Sequence, residues 1–354
     1  MTSGDDGFTP FPIDLVSDNA CHPTAGMRRF MAAAEVGDEE RSEDPTVRQL
    51  EELVADLTGK ASAVFMPSGT MCNIVAFFVW CRSGEAMLLH EETHPVYSKY
   101  AGPHIHNRIE LHKLAGRCGV LAGETVERAL REIDSAGGTA RLLTLENTHN
   151  RSGGSVWSLS ETEEACRAAR AHGLATHLDG ARLLHAVAAS GVSAAEYCAP
   201  FDSAWIDLSK GLGCPMGAVM AGDEQFVEAA RQAKYLFGGV THKAGMMAAA
   251  GIYALRHHVE RLVEDHERAE ELASGLSGIR GVELDQERVD TNLVYIDIAG
   301  SGLTAADLLA RMASAGVRMK QIDETRVRAV THLDITSAHV RTAVATAEAA
   351  CTDS

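Results

Sequence analysis

From about residue 48 to 222, short apolar or β-branched runs alternate with longer stretches in which apolar residues recur at helical spacing. This is the pattern of a βαβ chain built on a mostly parallel sheet. One unit shows the logic. The run LLTLE (142–146) predicts a strand, and Ser160-Glu161-Thr162-Glu163 has the composition of a capping box. A helix then runs to His172, where Gly173 can end it in the left-handed conformation, and LATHL (174–178) predicts the next strand. SAVFM (62–66), SAWIDLS (203–209) and GAVMAG (217–222) read as further strands. Residues 255–275, LRHHVERLVEDHERAEELASG, predict one long charged amphipathic helix. Beyond it the period changes to strand LVYID (293–297), helix 304–315, strand VRAV (327–330) and helix 337–350. The expected organisation is an N-terminal segment with a large α/β domain over 1–260, then a smaller C-terminal α+β domain over 261–354.

Composition narrows the class. The 354 residues are 45% hydrophobic and 23% charged, which is ordinary globular usage with material for about two domains. The longest apolar run, Ile74 to Cys81, is far shorter than the roughly 18 residues of a membrane span. Lys+Arg 32 against Asp+Glu 49 leaves a net charge of −17, so neither nucleic acid nor an anionic membrane is an expected partner. An anionic ligand must therefore be held by local groups. The 8 cysteines are scattered without a Cys-x-x-Cys pair, and the N-terminus MTSGDDGFTPFPIDL lacks the regions of a signal peptide. The expectation is a reduced, cytoplasmic compartment.

In a parallel sheet the ligand lies beyond the carboxyl ends of the strands, so polar residues that end apolar runs are the informative ones. Strand 174–178 leads into His177-Leu178-Asp179-Gly180-Ala181-Arg182, and strand 203–208 into Ser209-Lys210-Gly211-Leu212-Gly213. A carboxylate, a guanidinium and an amine thus reach one sheet edge. An aspartate and a lysine so placed suit pyridoxal phosphate: the amine captures the aldehyde, and the buried carboxylate keeps the pyridine nitrogen protonated. The third component is a phosphate cup, Pro67-Ser68-Gly69-Thr70, which opens the apolar helix MCNIVAFFVW and offers free N–H groups at a positive helix end. Taken singly, each feature also fits a surface lysine, a turn or a plain strand-turn-helix connection. Neither a Walker A motif nor a dinucleotide fingerprint is present.

At this point the sequence resembles the L-threonine aldolase family of pyridoxal-phosphate enzymes, which have the aspartate-aminotransferase type of fold. The resemblance runs from SDNACHPTAGM (17–27) through VGDEERSEDPTV (36–47), PSGTMCN (67–73), LENTHNRSGG (145–154), HLDGAR (177–182), DSAWIDLSKGLGCPMGAV (202–219) and GGVTHKAG (238–245) to RAVTHLD (328–334). It implies that Lys210 carries the cofactor, that Asp179 pairs with its ring nitrogen, and that Ser68, Gly69 and Thr70 cradle its phosphate. Arg182 would meet the phenolic oxygen or the substrate carboxylate, with Ser17 and Arg328 as further carboxylate ligands. His94 would stack on the ring and His149 would lie near the substrate hydroxyl. The implied reaction is retro-aldol cleavage of a β-hydroxy-α-amino acid to glycine and an aldehyde, with His149 or His94 as base. The resemblance also implies a homo-oligomer, dimer or tetramer, whose sites are completed by a second copy.

Three departures from the family pattern stand out: Arg41 and Ser42 before EDPTV, Lys99 beyond the stacking histidine, and His242-Lys243 where the family has an arginine that reaches a neighbouring subunit's phosphate. They predict an altered phosphate grip, with His242 and Lys243 as its candidates. Arg41 and Lys99 suggest a substrate with a second anionic group. β-Elimination on the same scaffold is the alternative chemistry, and a non-enzymatic binding or assembly role is a third.

A rival of another class is zinc proteolysis. His90-Glu91-Glu92-Thr93-His94 matches H-E-x-x-H, a motif that works only on a helix. Here AMLL (86–89) predicts a strand, and Pro95 disfavours helical geometry at His94. His104-Ile105-His106 reads as a packed or solvated strand pair, so no metal is expected.

Overall fold

The computed structural model describes residues 11–98 and 108–352. The chain divides into two units, one formed by residues 22–263 and the other by the described residues before His22 together with those from Glu264 onward. Lys99, His104 and His106 lie outside the described residues.

The larger unit is organised by a seven-stranded sheet: β1 (Ser62–Met66), β2 (Ala86–His90), β3 (Glu110–Leu114), β4 (Ala140–Glu146), β5 (Ala175–Gly180), β6 (Ser203–Asp207) and β7 (Ala218–Gly222). Their order is β1-β7-β6-β5-β4-β2-β3, and only β7 runs antiparallel to its neighbours. The strands read as near-continuous apolar runs because both faces are covered. Ala63, Phe65, Leu88, Leu143, Leu145, Leu178 and Ile206 bury on one side, while Val64, Met66, Met87, Leu89, Leu142, Trp205 and Met220 bury on the other. Period-two alternation therefore divides each strand between two cores.

Two local expectations shift. The helix Leu159–Ala171 is capped by Ser158, whose side chain accepts the Glu161 N–H while Glu161 reaches back to the Ser158 N–H. The capping box thus sits two residues earlier than expected, because S-x-x-E occurs at both 158–161 and 160–163. Gly173 follows at φ +77°, as the sequence requires. The single helix expected over 255–275 is two helices, Gly245–His257 and Leu262–Ser277. Between them the buried His258 ring bonds the Leu212 carbonyl at 2.8 Å, a tertiary contact that helical periodicity cannot register.

In the smaller unit the strands Lys320–Gln321, Arg326–Val330, Leu293–Asp297 and Glu283–Leu284 form an antiparallel sheet in that order. Ala305–Ser314, Ser337–Thr352 and, from Glu264 onward, Leu262–Ser277 supply its helices, and their apolar faces join its core. The expected 1–260 division differs from this in the N-terminal stretch. Ile13–Asp14 pairs in parallel with Val317–Arg318, and Ile13 and Leu15 bury in the smaller unit's core. Among the described residues no helix is long and apolar enough to cross a membrane.

Candidate active site

Three strand ends of the larger unit deliver acids to one edge. Glu146 ends β4 and is the register partner of Asp179 on β5; Asp207 ends β6. Asp179 is buried. Its Oδ2 accepts from Asn73 Nδ2 at 2.8 Å and its Oδ1 from the Ala181 N–H at 3.1 Å. Burial, and then the neighbouring Glu146 charge, push its carboxyl up to about 6, against the pull of Lys210 and the Asn73 hydrogen bond. Glu146 is also buried, and burial holds its carboxyl above the usual range. Its two oxygens accept the backbone N–H groups of His94 and Asn150, each at 2.8 Å.

Lys210 lies past the end of β6, its Nζ 3.1 Å from Asp207 Oδ2 and 5.6 Å from the centroid of the Trp205 ring. Asp207 Oδ1 is occupied by the Ser209 N–H at 2.8 Å and hydroxyl at 2.7 Å. The helix Gly69–Trp80 begins beside the same carboxylate. A Cβ on Gly69 would stand 2.5 Å from the Trp205 ring and 2.9 Å from Asp207 Oδ2, so only glycine fits. Ser68 caps this helix by accepting the Met71 N–H at 3.2 Å, and its carbonyl takes the Cys72 N–H. Among the described residues the Gly69 and Thr70 N–H groups are not drawn into that cap, which leaves donors at a positive helix end. The structure thus gathers Lys210, Asp179, Ser68, Gly69 and Thr70. Arg182 joins them, buried at the start of the helix Leu183–Ser190, where its charge favours ionised Glu146.

The histidines separate. His94 opens the short helix His94–Tyr97, with Pro95 in its first turn, so the expectation that Pro95 keeps His94 from helical geometry is corrected. Thr93, extended, is the preceding cap, and Pro95 needs no N–H partner at this position. His149 is fully buried: Nδ1 lies 2.8 Å from Ser152 Oγ and its ring meets His90 edge-on at 4.7 Å. Gly119, at φ +81°, allows this approach, since a Cβ there would collide with the His149 ring. Burial, and then His90, lower the His149 imidazole to about 3, which describes a packed neutral ring. His90 ends β2, its Nε2 3.0 Å from the Gly116 carbonyl and its Nδ1 accepting the Glu92 N–H. His90 and His94 therefore sit on a strand and a separate helical turn, and the one-helix geometry that H-E-x-x-H requires is missing.

The departures from the family pattern that fall within the described residues cluster on two adjoining loops. Arg41 is 3.8 Å from Asp38, and His242 Nδ1 is 3.4 Å from Asp38 and 3.8 Å from Glu40. Lys243 is exposed beside them. The Glu39 N–H joins the loops through the His242 carbonyl, and beneath them Lys234 Nζ and Glu39 Oε1 form a fully buried 2.7 Å ion pair. The positive charge expected from Arg41 is thus met by Asp38, which His242 shares. In the smaller unit Ser17 and Arg328 come together: Arg328 donates to the Val16 carbonyl at 2.9 Å, and Ser17 caps the short turn Asp18–Ala20.

Sequence reasoning gave no role to Asn73, Glu146, Trp205 or Asp207. Asn73 and Trp205 lie in apolar runs that read as core. Glu146 and Asp207 do end strands, so the strand-end rule that found Asp179 applies equally to them.

A sheet edge carrying a lysine, paired acids and an open helix start defines an α/β enzyme whose ligand sits beyond the strand ends. A family model described as beta-eliminating lyase matches residues 14–299, and the chain belongs to that family of lyases. It is 36% identical to the low-specificity L-threonine aldolase 1 of Arabidopsis thaliana, over 93% of each chain. The fold matches the Leishmania major threonine aldolase with a TM-score of 0.81 at 19% identity, covering 96% of this chain and 100% of that one. It also matches the serine palmitoyltransferase of S. paucimobilis with bound PLP–myriocin aldimine, with a TM-score of 0.74 at 19% identity, covering 96% and 87%. The expected fold class is borne out.

Proposed function

We propose that this chain is a pyridoxal-phosphate-dependent aldehyde-lyase that cleaves a β-hydroxy-α-amino acid of the L-threonine type to glycine and an aldehyde. The observation that carries this reading is the joint placement of Lys210, buried Asp179 and the Gly69 helix start around the Trp205 ring. The residues fit the cofactor by their chemistry: an amine for the aldehyde, a carboxylate for the ring nitrogen, and unused N–H donors for the phosphate. The Gly69 position, which a Cβ would fill, keeps the helix start close to the lysine.

When bound, the cofactor supplies an electron sink for the bond that breaks at the substrate's Cα. Lys210 holds it covalently, Asp179 faces its ring nitrogen, and Ser68, Gly69 and Thr70 hold its phosphate. An imidazole nitrogen of His94 takes the β-hydroxyl proton, because burial lowers the His149 ring to about 3 and makes it the poorer base. Arg182, buried at the start of the helix Leu183–Ser190, orients the substrate carboxylate. Arg41, His242 and Lys243 are offered to a second copy of the chain in a homo-oligomer, a dimer or tetramer. The eight cysteines, none of them in a disulfide, suit a reduced, cytoplasmic setting.

The test is purified protein supplied with pyridoxal phosphate and L-threonine. Release of glycine and acetaldehyde is the expected result. An α-keto acid with ammonia would mean β-elimination, and no turnover of any β-hydroxy amino acid would overturn the proposal.

A further inference from the structure

We infer that Asn73, held by the Trp205 indole, is a positioning residue that fixes Asp179 as a hydrogen-bond acceptor toward the cofactor's ring nitrogen. The inference rests on the cofactor assignment proposed above. Asn73 sits in the second turn of the helix Gly69–Trp80 and is buried. Both ends of its amide are engaged: Nδ2 donates to Asp179 Oδ2 at 2.8 Å, and Oδ1 accepts from Trp205 Nε1 at 3.1 Å.

The direction of these bonds is forced. An indole N–H only donates, so the amide oxygen must face Trp205 and the NH2 group must face Asp179. Asp179 Oδ1 already accepts the Ala181 N–H. Both carboxylate oxygens are thus met by donors, an arrangement suited to the ionised acid.

Trp205 links this clamp to the rest of the site. The same ring fills the space beside Gly69 and stands 5.6 Å from Lys210 Nζ. One indole therefore touches the phosphate cup, the lysine and, through Asn73, the aspartate. The charged and titratable groups that bear on Asp179 include Glu146 from β4, Lys210 from beyond β6, His94 from its short helix and the buried Cys72 thiol from the helix Gly69–Trp80. Glu146 works against the ionised form of Asp179, and the Asn73 donor works for it. Without Asn73, Asp179 would keep one backbone donor and face the Glu146 charge, and a protonated Asp179 cannot hold a protonated ring nitrogen.

The test uses the holoenzyme and three variants: Asn73→Ala, Asn73→Asp and Trp205→Phe. Two quantities are read: the dissociation constant for pyridoxal phosphate, and the pH midpoint of the bound cofactor's visible absorption band. Asn73→Ala and Asn73→Asp are expected to weaken cofactor binding by roughly tenfold, the scale of a lost hydrogen bond to a charged group. They should also move the midpoint to higher pH, because a ring nitrogen that is no longer held positive stops repelling the proton on the lysine-linked nitrogen.

Trp205→Phe should shift both quantities in the same direction by a smaller amount, and adding it to Asn73→Ala should produce no further midpoint shift. Asn73→Asp preserves side-chain size, so it serves if Asn73→Ala does not fold. Folded variants that bind the cofactor like wild type would overturn the inference. So would weakened binding with an unmoved midpoint, which is what a merely structural role predicts. A wild-type protein that takes up no pyridoxal phosphate would sink the functional proposal itself, and this inference with it.

Discussion

Glu146 and Asp179 stand side by side on adjacent parallel strands, both buried, as two carboxylates in register at the edge of one sheet. Burial raises the cost of ionising both, and at Asp179 the Glu146 charge adds to it. They differ in what holds them: Glu146 is bound by two backbone N–H groups that fix the His94 turn and the Asn150 loop, whereas Asp179 is bound by Asn73 and the Ala181 N–H. One acid thus organises the loops around the site while the other is left to face the ligand.

Replacing Glu146 with Gln removes one charge and turns one acceptor into a donor pointed at an N–H group. The expected cost is about 1–3 kcal/mol of stability, the scale of an unsatisfied buried polar group. Asp179 should then titrate at lower pH, since the charge opposing its ionisation is gone. Urea titration checks the first outcome, and carboxyl NMR of the cofactor-free chain checks the second.

A methyl group at Gly69 would meet the Trp205 ring at 2.5 Å and Asp207 Oδ2 at 2.9 Å. Gly69→Ala is expected to cost about 1–3 kcal/mol through overpacking and to weaken pyridoxal phosphate binding more than it alters the fold. Thermal melting with and without cofactor separates the two effects. The stabilisation gained on adding cofactor should shrink in the variant.

His149 and His177 are both lowered to about 3 from the ordinary 6.5, each chiefly by burial. A depressed histidine favours the folded state above pH 6.5, and this contribution is lost as the pH falls toward 3. The slope is about 1.4 kcal/mol per pH unit for each ring. Asp179, raised from 3.8 to about 6, works in the opposite sense over its own window: it costs stability as the pH rises through it. His177 bonds Ser203 Oγ at 2.8 Å, a contact an amide can replace. His177→Asn should therefore flatten the fall in stability between pH 6 and 4, as measured by denaturant titration across that range.

The Arg41 charge is met by Asp38, with Glu40 nearby, so the loop does not present the net positive surface that Arg41 suggests in the sequence. β-Hydroxyaspartate is expected to be cleaved no faster than threonine, and Arg41→Ala should leave the ratio of the two kcat/KM values nearly unchanged. A ratio that falls sharply in the variant would restore the anionic-substrate expectation.

What the sequence showed and what it hid have physical causes. Lys210 and Asp179 were legible because polar residues ending apolar strands in a parallel sheet have one place to go. Asn73 and Trp205 were not: each lies in an apolar run, and their partners are 106 and 132 residues away along the chain. Burial made them look like core, and only the tertiary fold turned two core positions into a hydrogen-bonded clamp. The break at His258 was hidden for the same reason, since a ring drawn to a distant carbonyl leaves no mark on charge periodicity. His149 is the converse case. Its motif suggested a base, and the structure packs the ring against His90 and Gly119, away from solvent.

The central claim is that Lys210 carries pyridoxal phosphate. Borohydride reduction of the cofactor-loaded protein, followed by peptide mass spectrometry, tests it directly. The account predicts a phosphopyridoxyl group on the peptide containing Lys210, absent from Lys210→Ala. A protein that remains unmodified, or is modified only at other lysines, would contradict it.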